Sequence, residues 1–285
     1  MAYNTGSDPT LAELITSKFI PEMFSSEAIM HVKSNLVCTN VFNTNWRKQL
    51  RKGYKVSIPV FSEVSTTEVT PGTEPTAQDA AGTAVSITVD QWYEATVEIS
   101  DLMDIEQEAD YLKGGAESCG YAVSKKIDTT VGALFSALSS SSVYGADGQT
   151  FTDAIFRALV EGLDEADVPG DNRALIGDPS MKSDLLDIDK FVRNDYTRGG
   201  VIPTGKFGEL YGSPVYTTNN LTAATTGNYG VYAHRDAIGI VLQKLPRSRA
   251  WDMGYKFISK IIVDSAWGVA EIRDTFGKSF YTRKS

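Results

Sequence analysis

Residues 62–83 read "SEVSTTEVTPGTEPTAQDAAGT", a stretch of Thr, Ser, Glu, Pro, Gly and Ala with almost nothing to hold it against a core. On either side the pattern changes to alternation. Before it, Val56, Ile58 and Val60 alternate with Ser57 and Pro59; after it, "TAVSITVDQWYEATVEIS" alternates through Val85, Ile87 and Val89, then Val97 and Ile99. A period of two predicts strands, and Pro59 restricts its strand to a sheet edge. Structureless connections of this length are uncommon inside compact domains. The two legs and their tip therefore read as a long hairpin arm that projects from a body and takes its packing from another chain.

The second constraint is a helix. In "SDLMDIEQEADYLKGGAESCGYAVSKKIDTTVGALFSALSSSS", Ser100 is the expected N-cap, and Asp101, Asp104, Glu106 and Glu108 suit a helix N-terminus. Leu102, Ile105, Ala109, Leu112, Cys119, Val123, Ile127, Val131, Leu134 and Leu138 form one apolar stripe. A helix of that extent spans on the order of 55–60 Å, long enough to run behind a sheet. Gly114-Gly115 marks an expected bend, and the serines after Leu138 end the element.

Short helical pieces precede the hairpin. Asp8 caps one and Pro9 opens it; another follows Pro21, with Met23, Ile29, Met30 and Leu36 loosely periodic. They read as an arm laid over other structure. After residue 150 the texture becomes a compact α/β mixture. "TFTDAIFRALVEGLDEA" is an amphipathic helix, and "NRALIGDPSMKSDLLDID" is a strand breaking into a helix at Pro179. "GSPVYTTNNL", "DAIGIVLQKL" and "YKFISKIIVDSAWGVAEIRDTF" supply strands, the last long and in need of a partner remote in sequence.

Several chemistries are excluded. The 285 residues contain two cysteines, Cys38 and Cys119, and two histidines, His31 and His234, so zinc or histidine-dependent nucleophilic sites lack their usual parts. Both cysteines read as buried thiols. Gly200 with Gly205-Lys206 is one letter short of a phosphate-binding loop, but Phe207 replaces the Mg²⁺-ligating hydroxyl and Pro203 removes a backbone N–H. The following "FGELYGSPVY" is a poor helix, so the strand–loop–helix context fails. The carboxylates of "EGLDEAD" and "LLDIDKF" read as solvated helix ends, and "YGADGQTFTD" lacks the alternating oxygens of a calcium loop. Trp46, Trp92, Trp251 and Trp267 read as core or interface anchors. No catalytic, cofactor-binding or metal-binding residue is expected. No run of about 18 apolar residues suggests a membrane span, and the N-terminus does not resemble a secretion signal.

Charge is segregated. The net charge is −9, yet "WRKQLRKGYK" at 46–55 holds Arg47, Lys48, Arg51, Lys52 and Lys55 with no acid. From residue 56 to 112 no Lys or Arg occurs, while Glu63, Glu68, Glu74 and Asp79 recur in the hairpin tip. Such patches suit contacts between neighbouring copies.

The order of these parts resembles the major capsid proteins of tailed bacteriophages, the Hong Kong 97-type fold. "SKFIPEMFSSEAIMHVKSNLVCTNVFN" leading to "GYKVSIPVF" is similar to that family's N-terminal arm. "DLMDIEQEADYLKGGAESCGYAVSKKID" is similar to its spine helix, and "RALIGDPSMKSDLLDIDKFVRND" with "GKFGELYGSPVYTTNNL" to its axial domain. The resemblance implies an α+β fold divided into an N-terminal arm (1–50), an extended β-hairpin loop (51–99), the spine helix of a peripheral domain (100–149), an axial α/β domain (150–250) and peripheral return strands (251–285).

The implied function is a coat subunit made in the host cytoplasm. It would build hexamers and pentamers of an icosahedral head around double-stranded DNA, touching DNA only non-specifically. The expected inter-subunit residues are Arg47, Lys48, Arg51, Lys52, Glu63, Glu68, Glu74, Asp79 and Lys206. Some relatives form an isopeptide cross-link from a lysine of the extended loop; without Lys in 56–112 that bond is not expected here. The few residues before the arm leave no room for a fused scaffold, so a separate scaffolding protein is expected, with a portal and a possible cement protein. Rival readings are an encapsulin-like cargo shell, a nucleotide-binding enzyme, and a tail or cement protein.

Overall fold

The computed structural model describes residues 37–48, 53–61, 64–69, 71–72, 74, 82–100, 111–138, 143–188, 209–254 and 256–284. The helices expected before residue 37 lie outside that set. The chain enters through a short helical turn, α1 (Cys38–Val41), and a 3-10 turn at Asn45–Lys48. Strands β1 (Lys55–Phe61) and β2 (Gly82–Thr88) then pair antiparallel with each other, from Lys55 opposite Thr88 to Phe61 opposite Gly82. Each leg of this ribbon is an edge, so Pro59 costs the ladder little.

The second alternating leg is two strands rather than one. It breaks at Val89-Asp90, and β3 (Gln91–Ser100) leaves the hairpin to join a different sheet. There it pairs along its whole length with β9 (Ile258–Glu271), which supplies the remote partner that the long late strand required. β8 (Ile238–Met253) lies on the other side of β9, giving the order β3-β9-β8. Ser100 is the last residue of β3.

Helix α2 (Tyr111–Ala133) runs through Gly114-Gly115 without interruption. Its stripe serves two sheets in succession. Cys119, Val123 and Ile127 pack with Val263 and Trp267 of β9, with Ala95 and Val97 of β3 beside them. One turn later Val131, and then Phe135 and Leu138, join a second cluster with Ile176, Val231 and Ile238. A spacing of four keeps these side chains on one face, and each buried Val, Ile or Phe contributes about 1.5–3 kcal/mol.

The second sheet has five strands in the order β10-β7-β4-β6-β5. β4 (Arg173–Gly177) is buried throughout, between parallel β6 (Ser213–Thr217) and antiparallel β7 (Gly227–His234). β5 (Glu209–Leu210) and β10 (Gly277–Arg283) complete it. One face of β4 meets α2 through Ile176. Leu175 meets a cluster containing Phe156, Leu159 and Leu163 of α3 (Asp153–Asp164) and Met181 and Leu185 of α4 (Pro179–Leu186). Thr152 caps α3, its side chain accepting from Ile155 N; Asp178 caps α4 ahead of Pro179 at the first turn. The strand pairings run across the residue ranges expected for the domains. The long β8 starts at residue 238, and β10 pairs with β7 rather than with the three-stranded sheet.

Three chain segments meet at one buried carboxylate. Asp128 of α2 is fully buried and accepts from Thr39 N at 3.0 Å, Thr39 Oγ1 at 3.3 Å and Asn220 Nδ2 at 3.0 Å. Removing the acceptor takes away all three of these hydrogen bonds, one of them from the buried Asn220 amide. Asp128→Ala is expected to lower stability by about 3 kcal/mol, read from the shift in urea midpoint of the purified chain. A midpoint unchanged from wild type contradicts this.

Candidate inter-subunit surfaces

The base of the hairpin is fixed by burial. Val56 and Ile87 form a buried cluster with Val241, flanked by Trp46, Ile58, Val89, Ala270 and Ile272. Val89 N donates to Tyr54 O at 2.7 Å and closes the base. Here the ribbon crosses β9 so closely that a Cβ on Gly268 would stand 2.1 Å from Thr88 O. Only glycine permits that approach.

Beyond the base, the described residues of the tip are open to solvent. Residues 64–69 are all exposed, including Val64, Val69 and Glu68, and Glu74 is exposed as well. Among the described residues neither Glu68 nor Glu74 forms an ion pair within the chain. Arg47 and Lys48 lie in the 3-10 turn that packs beside β8, next to the hairpin base. Arg51, Lys52, Glu63, Asp79 and Lys206 lie outside the described residues, as do Gly200, Gly205 and Phe207.

A second surface was not legible as a unit in the sequence. The three-stranded sheet carries α2 on one face; the other face is built from cross-strand rows. Glu94, Asp264 and Arg247 form one row, Thr96, Ile262 and Arg249 the next, and Glu98, Lys260 and Trp251 the third. Asp264 ties the three strands together. It accepts from Trp92 Nε1 of β3 at 3.2 Å and Arg247 Nε of β8 at 3.1 Å, and it bonds Lys244 Nζ. Lys244 also lies 5.3 Å from the centre of the Trp92 ring. Lys260 pairs with Glu98 at 3.0 Å.

The tryptophans divide accordingly. Trp267 is fully buried beneath α2, whereas Trp92 is 73% exposed and Trp251 62% exposed on the open face. The basic positions of "LQKLPRSR" are Lys244, Arg247 and Arg249 of β8, with a register irregularity between the first two. The acidic partner of Lys244 and Arg247, Asp264, lies on another strand, so spacing alone did not reveal the row.

Other groups are accounted for by the fold. Cys38 and Cys119 are free and buried; burial pushes both thiols up, with Asp128 adding to the effect on Cys38. His234 Nδ1 accepts from Asp236 N at 3.2 Å, and burial holds the imidazole below its ordinary range. Asp147 accepts from Thr226 N at 2.9 Å, bracing a loop. Glu161, Asp164, Glu165, Asp167 and Asp187 are exposed, as read from sequence. Asp184 is buried instead, accepting from Phe151 N at 2.9 Å and Arg283 Nε at 2.7 Å. No group of three or more His, Cys, Asp or Glu able to hold a metal occurs among the described residues.

A projecting ribbon, a rod shared by two sheets and broad open faces suit assembly. The family model for the phage capsid protein matches residues 82–254. The chain belongs to the phage capsid protein family. Its fold is correspondingly similar to solved structures of phage proteins. One from Mycobacterium phage Che8 is 20% identical, with a TM-score of 0.79 over 92% of this chain and 97% of that one. The capsid structure of Cyanophage P-SCSP1u is 16% identical, with a TM-score of 0.77 over 100% and 97%. The mature capsid of bacteriophage PhiM1 is 18% identical, with a TM-score of 0.72 over 92% and 91%. No curated protein matches the sequence.

This phage capsid protein is a structural component of the virion. Within it, the bonds from Lys244, Arg247 and Trp92 hold the Asp264 carboxyl well below the usual carboxylate range. A depressed folded-state pKa contributes stability that is present above the ordinary Asp value and lost as pH falls below about 4. Asp264→Asn is expected to flatten the acid limb of the stability–pH profile, measured by thermal unfolding of the subunit. A variant with the wild-type acid limb argues against the network.

Proposed function

We propose that this chain is the major capsid subunit, assembling with its own copies into hexamers and pentamers of an icosahedral head around double-stranded DNA. It acts by contact and not by catalysis. The observation that supports this most directly is the hairpin. Its base is buried in the subunit, whereas Val64, Val69, Glu68 and Glu74 of its tip are exposed. A Thr- and Glu-rich tip gains packing only on another molecule, and a second copy offers a basic run at Arg47, Lys48, Arg51 and Lys52.

In this reading Glu63, Glu68, Glu74 and Asp79 of one copy meet that run on its neighbour, and Lys206 serves as a further inter-subunit charge. The net charge of −9 suits a container that must not grip its packed DNA. A scaffolding protein, a portal and a possible cement protein complete the assembly. An encapsulin-like cargo shell is not favoured, because the matching family is one of phage capsid proteins.

Expression with the partner proteins, followed by size-exclusion chromatography and negative-stain microscopy, tests the proposal; shells tens of nanometres across are expected. Replacing residues 64–74 by a short Gly-Ser turn should abolish shells yet change subunit stability by only about 0.5 kcal/mol. Glu68→Lys with Glu74→Lys should weaken shells, and adding Arg51→Glu with Lys52→Glu should restore them. Shells indifferent to both charge changes would sink the pairing.

A further inference from the structure

The hairpin base and the Asp264 row lie on one face of the three-stranded sheet. Along β9, Gly268, Ala266, Asp264, Ile262 and Lys260 alternate to the same side. At Gly268 that side is covered by the chain itself, through Thr88 and through Ile87 packed on Val241. Outward of Ala266 the described residues leave it open. Trp92, Glu94, Thr96 and Glu98 of β3 and Arg247, Arg249 and Trp251 of β8 are all exposed.

This open half has the make-up of a contact surface. Trp92 is held in place by its bond to Asp264 and by Lys244 beside its ring, so it loses little freedom when covered. On β8, Lys244, Arg247 and Arg249 face one carboxylate, Asp264. Glu94 and Glu98 stand at the β3 edge, and Glu98 is already paired with Lys260. Among the described residues Arg249 forms no ion pair. Trp and Arg are the residue types that most often carry the binding energy of an interface. The face also continues the basic run at 46–55. Gln243 Nε2 donates to Gly53 O at 2.7 Å, tying the residue after Lys52 to the residue before Lys244.

The same chain carries a matching surface. On the hairpin tip Val64 is 59% exposed and Val69 73%, with Glu68 and Glu74 open beside them and no Lys or Arg between 56 and 112. Both surfaces stand open in one chain, so the described part of the tip does not lie on its own sheet. We propose that the open half of the three-stranded sheet receives the hairpin tip of a second copy. Arg247 and Arg249 take its carboxylates, and Trp92 and Trp251 take its valines. The contact presupposes the coat-subunit role proposed above and extends the receiving surface from the basic run onto β8.

Cross-linking between copies tests this. Cys38 and Cys119 are buried, so cysteines placed on the two open surfaces are the ones a reagent can bridge. Full-length Val69→Cys and Trp251→Cys subunits are co-assembled with the partner proteins, and the purified shells are treated with a short bis-maleimide. A covalent dimer is expected on a denaturing gel, and only monomer when either variant is assembled alone. Separately, Arg249→Glu with Trp251→Ala should lower shell yield roughly tenfold. The subunit's urea midpoint should not move, because both side chains are exposed. Mixed shells that stay unbridged overturn the docking and leave the coat-subunit role standing, and so does a double variant with wild-type shell yield. A wild-type chain that builds no shells overturns both.

Discussion

The buried carboxylate of Asp128 is the point on which the rest of the architecture depends. A charge this deep is tolerated only when its oxygens are filled by donors. Those donors come from Thr39, at the entry to the described chain, and from Asn220, in the loop between β6 and β7. The carboxylate therefore fixes where the entering segment and the five-stranded sheet sit against α2. Cys38 and Phe42, flanking Thr39, are buried in the same cluster as Val131 and Phe135. The polar clasp and the apolar packing thus specify one arrangement.

From that fixed point the helix organises two sheets of different character. The five-stranded sheet is covered on both faces, which is why its central strand β4 is apolar along nearly its whole length. Among the described residues the three-stranded sheet is packed by α2 on one face, and its edge strand β3 alternates. Its outer half of β8, residues 245–252, is exposed, as is the tip of the hairpin. The molecule buries what makes it a stable subunit and leaves outside what makes it a component of a shell.

Much of this was legible along the chain because it depends on local period. The stripe from Cys119 to Leu138, the alternation of β1 and β2, the cap at Asp178-Pro179 and the hairpin with its uncommitted tip all follow from spacing and residue type. The sequence misled where the outcome depended on distant contacts. Val85 to Ile99 alternates almost continuously, yet its two halves belong to different sheets, because β9 captures β3 and leaves β2 to β1. Gly114-Gly115 promised a bend, yet the helix passes through. Gly115 faces Val97 and Ile99 of β3, so the sheet packs against the helix at that place.

By itself, the sequence determined the elements, the absence of any assembled active-site motif and the segregation of charge along the hairpin, since composition and period are properties of neighbouring residues. Tertiary structure alone decided which faces are covered. Trp267 and Trp92 both sit in alternating strands, yet one lies under α2 and the other faces outward. It also decided that Asp264 gathers cations from β8. These outcomes rest on strand register and on the crossing of chain segments, and register is set by partners far away in sequence.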